Sequence, residues 1–384
     1  MNISQISDIC TGCGSCVAVC PSAAIRMQPD EHGFLHPAVD AAACTDCGLC
    51  ACKCPVSTPP QVSAHTEILT GYANDEALLP ASSSGAIFPV LASEIIRRGG
   101  IVFGAAFDQN FDVAHTAAES AAELAALCSS KYVQSSIPSG IYAQVKAALT
   151  AGRWVYFSGM PCQVAGLKNY LGREYETLIT QDTACHSVPS PMVWKNYRSA
   201  LEMQNGSKLK SFSFRKKATG WENYHIHAAF ENGREFYSSL LRIRISVDLS
   251  KVCIPAAPAL IVNSRASSGA AISHWRTTGA SRVFSRKPTI RRGHPLFCCT
   301  ARKAALCWNA ARIGCKSVLP QRAHLHGILP CSGLFRNRRG TMNSGRNMGR
   351  KRLRNWFLLA ANRQRKKRRR NAGIEAFWPA RFAA

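Results

Sequence analysis

The stretches "CTGCGSCVAVCP" (residues 10–21) and "CTDCGLCACKCP" (residues 44–55) decide how the start of this chain folds. Both follow the pattern C-x2-C-x2-C-x3-C-P. Cys10, Cys13, Cys16 and Cys20 precede Pro21; Cys44, Cys47, Cys50 and Cys54 precede Pro55. Nine of the chain's 18 cysteines lie between Cys10 and Cys54. The opening "MNISQISDICTGCGSC" has neither the basic head nor the apolar core of a secretory leader. A reducing cytoplasm is therefore the expected compartment, and clustered cysteines there serve metals rather than disulfides.

This pattern is the cysteine run of bacterial ferredoxins. Three closely spaced thiolates on a tight loop reach three irons of one cube, and the fourth cysteine points away to the other cube. The expected ligand sets are Cys10, Cys13, Cys16 and Cys54 for one [4Fe-4S] cluster, and Cys44, Cys47, Cys50 and Cys20 for the other. Gly12, Gly14 and Gly48 allow the backbone to wrap closely and bring amides near the sulfurs. The competing reading is a pair of zinc sites, but those draw on paired ligands rather than three in a row plus one before proline. Cys52 is surplus to the pattern and is read as a non-ligand. A module of this kind carries electrons without choosing a substrate.

The formal charge of +26 looks like that of a nucleic-acid binder, but it is unevenly distributed. Residues 1–241 hold 17 basic and 20 acidic residues, whereas residues 242–384 hold 31 basic residues against Asp248 and Glu375 alone. The partner argument from charge therefore applies only to the last part. No apolar run is long enough for a membrane span.

From about residue 70 the sequence reads as α/β. "GGIVFGAAF" (99–107) and "RWVYFSG" (153–159) are short apolar runs that predict buried strands. "MPCQVAGLKNYL" (160–171) follows with helical spacing at Val164, Leu167 and Leu171, and Pro161 suits a first helical turn. "YETLITQDTACH" (175–186) predicts a third strand ending in Cys185-His186, and "PSPMVWKNYRSALEMQ" (189–204) predicts a helix. "NYHIHAAFENGREFY" (223–237) alternates and turns at Asn232-Gly233, a hairpin signal. Two junctions suit phosphate or a flavin edge: Ser158 to Cys162 and the loop "SSSGAIF" (82–88). For Cys128, Cys162, Cys185 and His186 the alternative is plain packing.

The ordered segments "SSSGAIFPVLASEIIRRGGIVFGAAFD", "SSKYVQSS", "YFSGMPCQVAGLKNYL", "ACHSVPSPMVWKNY" and "FRKKATGWENY" follow the double cysteine run. Together they resemble the coenzyme F-420 hydrogenase/dehydrogenase beta-subunit family, from Cys10 to about Tyr237. The resemblance implies an iron–sulfur flavoprotein. Such a protein holds FAD and passes electrons between its clusters and a deazaflavin (coenzyme F-420) or another small organic acceptor. It implies that Ser82, Ser83, Ser84, Gly85, Lys131, Gln134, Gly159, Pro161, Cys162 and Gln163 surround the flavin. Cys185 and His186 match the family's Cys-His motif and are the candidates for catalysis. Ser187 stands where glycine is usual, and Met160 where threonine is usual.

Beyond residue 241 the family would continue with Asp-Pro-Tyr-x-Arg-Gly-Phe, then Arg-Pro and Cys-x-x-Cys, then Ser-Asp-Ile-Thr-x-Ala-Asp-Tyr-Trp-Gly-Ile. The chain has instead "RIRISVDLSKVCIPAAPALIVNSRASSGAAISHWRTTGA". Codons can be chosen for Ala271–Ala280 that, read from the third base, encode Asp-Ile-Thr-Leu-Ala-Asp-Tyr-Trp-Gly. The same register permits the two earlier motifs. The sequence thus points to a frame disruption near Ser239 to Arg242. On that reading the run "NRQRKKRRRN" (362–371) is out-of-frame translation rather than a nucleic-acid patch. A tail so rich in positive charge and so poor in periodicity is expected to lack a stable fold, apart from an isolated helix around Arg350–Ala361.

The expected fold class is α+β: a small bacterial-type 2[4Fe-4S] ferredoxin domain (1–62), an incomplete α/β flavin-binding domain, and an irregular basic tail (242–384). The flavin-binding domain comprises an N-terminal part (65–150) and a C-terminal part (151–241). The expected partners are a redox partner protein or subunit and a small organic electron acceptor, with no specific nucleic acid. The alternative function is a bare electron carrier, with nucleic-acid binding by the tail a third.

Overall fold

The computed structural model describes residues 2–4, 9–60, 67–183, 185, 188–217 and 225–239, with three short strands farther on. Residues 67–72, 239 and those short strands are described by their backbone alone. The chain forms two compact units, Met1–Gln321 and Arg322–Ala384, and every described residue lies in the first.

The N-terminal part is built around the two cysteine runs. Helix α1 (Ser15–Val19) and helix α2 (Leu49–Cys52) each start inside a run, at Gly14 and Gly48. Strands β1 (Ile25–Pro29) and β2 (Leu35–Val39) form an antiparallel hairpin between them, from Ile25 opposite Val39 to Pro29 opposite Leu35. Its turn is held by the Asp30 carboxylate, which accepts the N–H groups of His32 and Phe34 at 2.9 and 2.8 Å. Ile3, Ile25, Cys16, Cys50 and Cys54 form the small core.

The second part is a layered α/β structure. After β3 (Glu67–Tyr72) and α3 (Leu78–Ala81) come α4 (Ile87–Arg97), β4 (Ile101–Phe107), β5 (Val113–Ala118), α5 (Ala121–Leu127) and α6 (Ile141–Thr150). Then follow β6 (Val155–Gly159), α7 (Pro161–Leu171), β7 (Leu178–Thr183) and α8 (Pro191–Asn205). β4, β6 and β7 are parallel neighbours, and β5 pairs antiparallel on the far side of β4. One sheet therefore spans the boundary at residues 150–151. β4 and the start of β6 read as unbroken apolar runs because helices cover both faces. Val102 and Tyr156 pack with Ile87, Leu91, Ile95, Leu124 and Leu127 of α4 and α5. Their neighbours Phe103, Val155 and Phe157 pack on the other face with Tyr142, Val145, Val164 and Leu167 of α6 and α7. Burying each large side chain contributes about 1.5–3 kcal/mol.

Strands β8 (Leu209–Lys216), β9 (His225–Phe230) and β10 (Glu235–Ser239) form an antiparallel sheet in the order β10-β9-β8. The β9–β10 turn falls at Asn232-Gly233, where Gly233 has φ +82°. This sheet packs on α8 through Trp194, Phe214 and Ile226.

Three short strands of the tail are placed. β11 (His274–Trp275) runs parallel to β7, while β12 (Leu296–Cys299) and β13 (Gly314–Lys316) flank β3. These segments are backbone pairings of two, four and three residues. The edges of β7 and β3 present unpaired backbone groups, and backbone pairing asks little of side-chain pattern. The rest of the tail, including Arg350–Ala361 and residues 362–371, lies outside the described residues.

Candidate iron–sulfur centre and adjoining site

The two cysteine runs fold into the same local shape. Gly12 and Asp46 occupy equivalent positions, and both have left-handed backbone, with φ of +71° and +48°. Gly14 and Gly48 follow at +76° and +74°. These turns aim amides inward: Gly12 N–H donates to Cys10 Sγ and Asp46 N–H to Cys44 Sγ, each at 3.4 Å. Ala24 N–H donates to Cys20 Sγ at 3.3 Å.

Two cavities result. The first is lined by Cys10, Cys13, Cys16 and Cys54, closed by Ile3, Met27 and Val56. The second is lined by Cys20, Cys44, Cys47 and Cys50, with Asp46 and Leu49 at its edge. Each draws three cysteines from one run and one from the other, the grouping expected from the spacing. Cys52 is exposed and lines neither cavity. The twelve cysteines whose side chains are described are free thiols. Among the described residues no three His, Cys, Asp or Glu side chains converge as a single-ion site requires. The eight thiols ring two volumes instead, an arrangement that fits cubes with several irons.

Three thiols of the first cage, Cys10, Cys13 and Cys16, are poorly suited to ionise by themselves. Burial pushes Cys16 up to about 12, helped by the nearby Cys10 and Cys54. Burial likewise carries Cys13 well above the ordinary thiol value and raises Cys10. At Cys20 burial pushes upward too, but hydrogen bonds from Ser22, Ala24 and Ile25 bring the thiol below its ordinary value. A bound cationic cluster would supply the charge that turns Cys10, Cys13 and Cys16 into thiolate ligands.

The first cage is seated on the α/β part. The Tyr142 hydroxyl donates to the carbonyls of Cys13 and Gln163, at 2.8 and 3.0 Å. Gly166 of α7 faces Cys13 so closely that a Cβ there would lie 3.1 Å from its sulfur. Leu35 N–H donates to Gln134 Oε1 at 2.8 Å, and Asn169 Nδ2 donates to the Thr58 carbonyl at 2.7 Å.

Most of the residues expected around a flavin fall into two groups, at two loops. At the carboxyl end of β6 lie Gly159, Pro161, Cys162 and Gln163, beside Cys185 just past β7. Burial drives the Cys162 thiol up to about 12, with Cys185 the next cause. Cys162 also helps to raise Cys13, so these thiols run outward from the first cage. His186 lies outside the described residues.

The second group is the loop Ser82, Ser83, Ser84 and Gly85, which enters α4. Ser82 is buried, Ser83 Oγ accepts the Ser130 N–H at 2.6 Å, and Ser84 Oγ is buried without a partner. Lys131 donates to the carbonyls of Ala126 and Cys128 at 2.7 and 2.8 Å. Burial lowers it to about 8. Lys217 donates to the carbonyls of Leu79 and Ser84 at 2.8 and 2.9 Å. Burial, then the charge of Arg215, lowers it to about 8 as well. Nothing in the local sequence pattern singled out Lys217.

Two expected flavin residues have other work. Gln134 ties the ferredoxin-like part to the α/β part. Gln163 is buried, takes the Met160 N–H at 2.8 Å and donates to Ser135 Oγ at 2.9 Å. Ser135 in turn meets His115 Nδ1 at 3.1 Å, while His115 Nε2 meets the Ser158 carbonyl at 3.1 Å. A carbonyl only accepts, so the ring proton sits on Nε2 and the Ser135 hydroxyl donates to Nδ1. Burial holds His115 down to about 4.

No curated protein matches the chain. Among solved structures, a chain of the F420-reducing [NiFe] hydrogenase complex from Methanosarcina barkeri aligns with a TM-score of 0.42 and 16% identity, over 67% of this chain and 84% of that one. Among the described residues no helix is long and apolar enough to cross a membrane. Residues 9–58 match the family described as the 4Fe-4S dicluster domain, so the chain carries a ferredoxin-like domain for two [4Fe-4S] clusters and electron transfer.

Proposed function

We propose that the protein is an iron–sulfur flavoprotein oxidoreductase in which electrons pass between two [4Fe-4S] clusters and FAD, and on to a deazaflavin or another small organic acceptor. The observation that carries this reading is the seating of the first cage on the β6–α7 turn, with Cys13 against Gly166 and close to Cys162. The eight cysteines of the two cages would hold the clusters. The Ser82–Gly85 loop, with Lys131 and Lys217 beside it, suits the anionic end of a flavin dinucleotide. The β6–α7 turn would lie along its reactive edge. A bound flavin supplies the step between single electrons and electron pairs. The chain's own part is to bind, to orient and to keep water from the buried cage. Cys185 and His186 are proposed to face the acceptor. The motifs between Ser82 and Tyr237 that resemble the beta-subunit family support the assignment.

The engagement of Gln134 and Gln163 in internal hydrogen bonds favours a second reading, a bare electron carrier. In that case the segment that completes the flavin site is lost by the frame disruption proposed near Ser239–Arg242. Anaerobic purification with iron and flavin assays separates the two. About eight irons and one FAD per chain are expected for the flavoprotein. Iron–sulfur absorbance without flavin would leave the carrier. Nucleotide sequencing across codons 239–242 tests the disruption. An intact gene with no family continuation in another frame would sink it.

A further inference from the structure

Three polar side chains stand together where the core is otherwise apolar. His115, Ser135 and Gln163 are 2%, 8% and 4% exposed. The His115 ring stacks on Phe157 at a centroid distance of 5.4 Å, and Phe157 belongs to the apolar layer under α6 and α7. Their polar atoms are engaged with one another and with backbone. His115 Nε2 donates to the Ser158 carbonyl and Nδ1 accepts the Ser135 hydroxyl, each at 3.1 Å. The Gln163 amide donates to Ser135 Oγ at 2.9 Å and to the Ser135 carbonyl at 3.3 Å, and Gln163 Oε1 accepts the Met160 N–H at 2.8 Å. Apolar side chains of the same shape could fill this space at little cost in stability. What a closed polar network adds is one fixed arrangement.

The two ends of the network fall on either side of Gly159. His115 holds the carbonyl of Ser158 before it, and Gln163 holds the N–H of Met160 after it. A Cβ on Gly159 would stand 3.1 Å from Gln163 Oε1 and from the Phe157 ring, so the turn is packed as well as bonded. The middle of the network is tied to β5: His115 N–H donates to the Ser136 carbonyl at 2.9 Å, and Ser136 N–H to that of Val113 at 3.0 Å. The same segment reaches the first cage. The Gln134 amide stands where a Cβ on Gly12 would go, and Ile137 Cβ lies 3.0 Å from where one on Gly14 would.

We propose that His115 and Ser135 are positioning residues for the flavin. Through Gln163 they hold the Ser158–Met160 turn in one conformation against the first cage, so that the edge of the flavin ring meets a preformed surface. This rests on the reading that FAD lies along the β6–α7 turn. His115 acts as the neutral imidazole, a donor on Nε2 and an acceptor on Nδ1. A turn released from the network would have to be ordered when FAD binds, which lowers affinity and loosens the surroundings of the ring.

The test uses the full chain, reconstituted anaerobically, assayed for iron and titrated with FAD. Flavin fluorescence gives the Kd, and visible circular dichroism reports how rigidly the bound ring is held. His115→Phe keeps a ring against Phe157 but can neither donate to Ser158 nor accept from Ser135. It should raise the Kd about tenfold and weaken the flavin dichroism, with iron content unchanged. Ser135→Ala should act in the same direction by a similar factor. His115→Gln, which can still donate and accept, should restore both readouts to within about threefold of the native values. The double variant His115→Phe/Ser135→Ala should bind within about twofold of the weaker single variant, because either change cuts the same chain. Val145→Ala, in the same apolar layer but outside the network, should lower the denaturation midpoint and leave the Kd within about twofold. Native affinity and dichroism in both His115→Phe and Ser135→Ala, or a loss in Val145→Ala as large as theirs, would overturn the positioning role alone. Should His115→Phe fail to take up iron, Ser135→Ala decides. A native chain that holds about eight irons and binds no FAD would overturn the flavin reading on which the proposal rests.

Discussion

At Gly12 two demands meet: a φ of +71°, and the Gln134 side-chain amide standing where a Cβ would go. Asp46, its counterpart in the second run, is left-handed too, and aspartate tolerates that region better than most residues. Gly12→Ala is therefore expected to destabilise the protein by about 1–3 kcal/mol and to lower iron occupancy, read from the denaturation midpoint and an iron assay. His115 supplies a pH dependence. Its folded pKa of about 4 lies below the ordinary value of 6.5, so the unfolded chain takes up a proton first as pH falls. The stability tied to neutral His115 is complete above about pH 6.5, declines between 6.5 and 4, and levels off below, for a total of about 3 kcal/mol. Urea midpoints across that window should show this slope in the native protein and lose it in His115→Gln. The cysteines were legible in the sequence because one run supplies three ligands at fixed spacing. The chain from His115 through Ser135 to Gln163 was not, because its members are brought together only by folding.

Among the elements, β4, β6 and α7 were readable because each is an apolar run bounded by glycine, or by a proline at a helix start. The edge strand β5 gave a weaker signal: Val113 and Ala118 are buried, but polar His115 is buried between them to serve the network. Helix α7 illustrates how an element positions the site. Pro161 fits its first turn, Gln163 caps it through Met160, and Gly166 admits Cys13 against its side. The Tyr142 hydroxyl then fastens α6 to both the cage loop and α7. Tyr142→Phe removes the one hydroxyl proton shared between these two carbonyls and should cost about 1–2 kcal/mol. The same variant should release iron from the first cage faster under a chelator, with the second cage less affected, as EPR of the reduced clusters would show.

At the scale of the whole molecule, a sum of charge over the chain hides a near-neutral first part. The tail's 31 basic residues should bind any polyanion. Retention on heparin or DNA is expected to fall steeply with salt and to show no sequence preference, measured by competition between unrelated duplexes. The arrangement of the two parts was less legible than either alone, because Gln134 to Leu35 and Asn169 to Thr58 join residues 99 and 111 positions apart. The exchange of Cys20 and Cys54 between the cages has a further meaning. Neither cage closes within its own run, so loading the first with iron draws in the second run, and the reverse. The segment between Cys20 and Cys44, hairpin included, becomes a loop pinned at both ends by metal. On the ligand sets proposed for the two clusters, loading one is expected to favour loading the other, and a half-loaded module is left with a strand of its clasp undone.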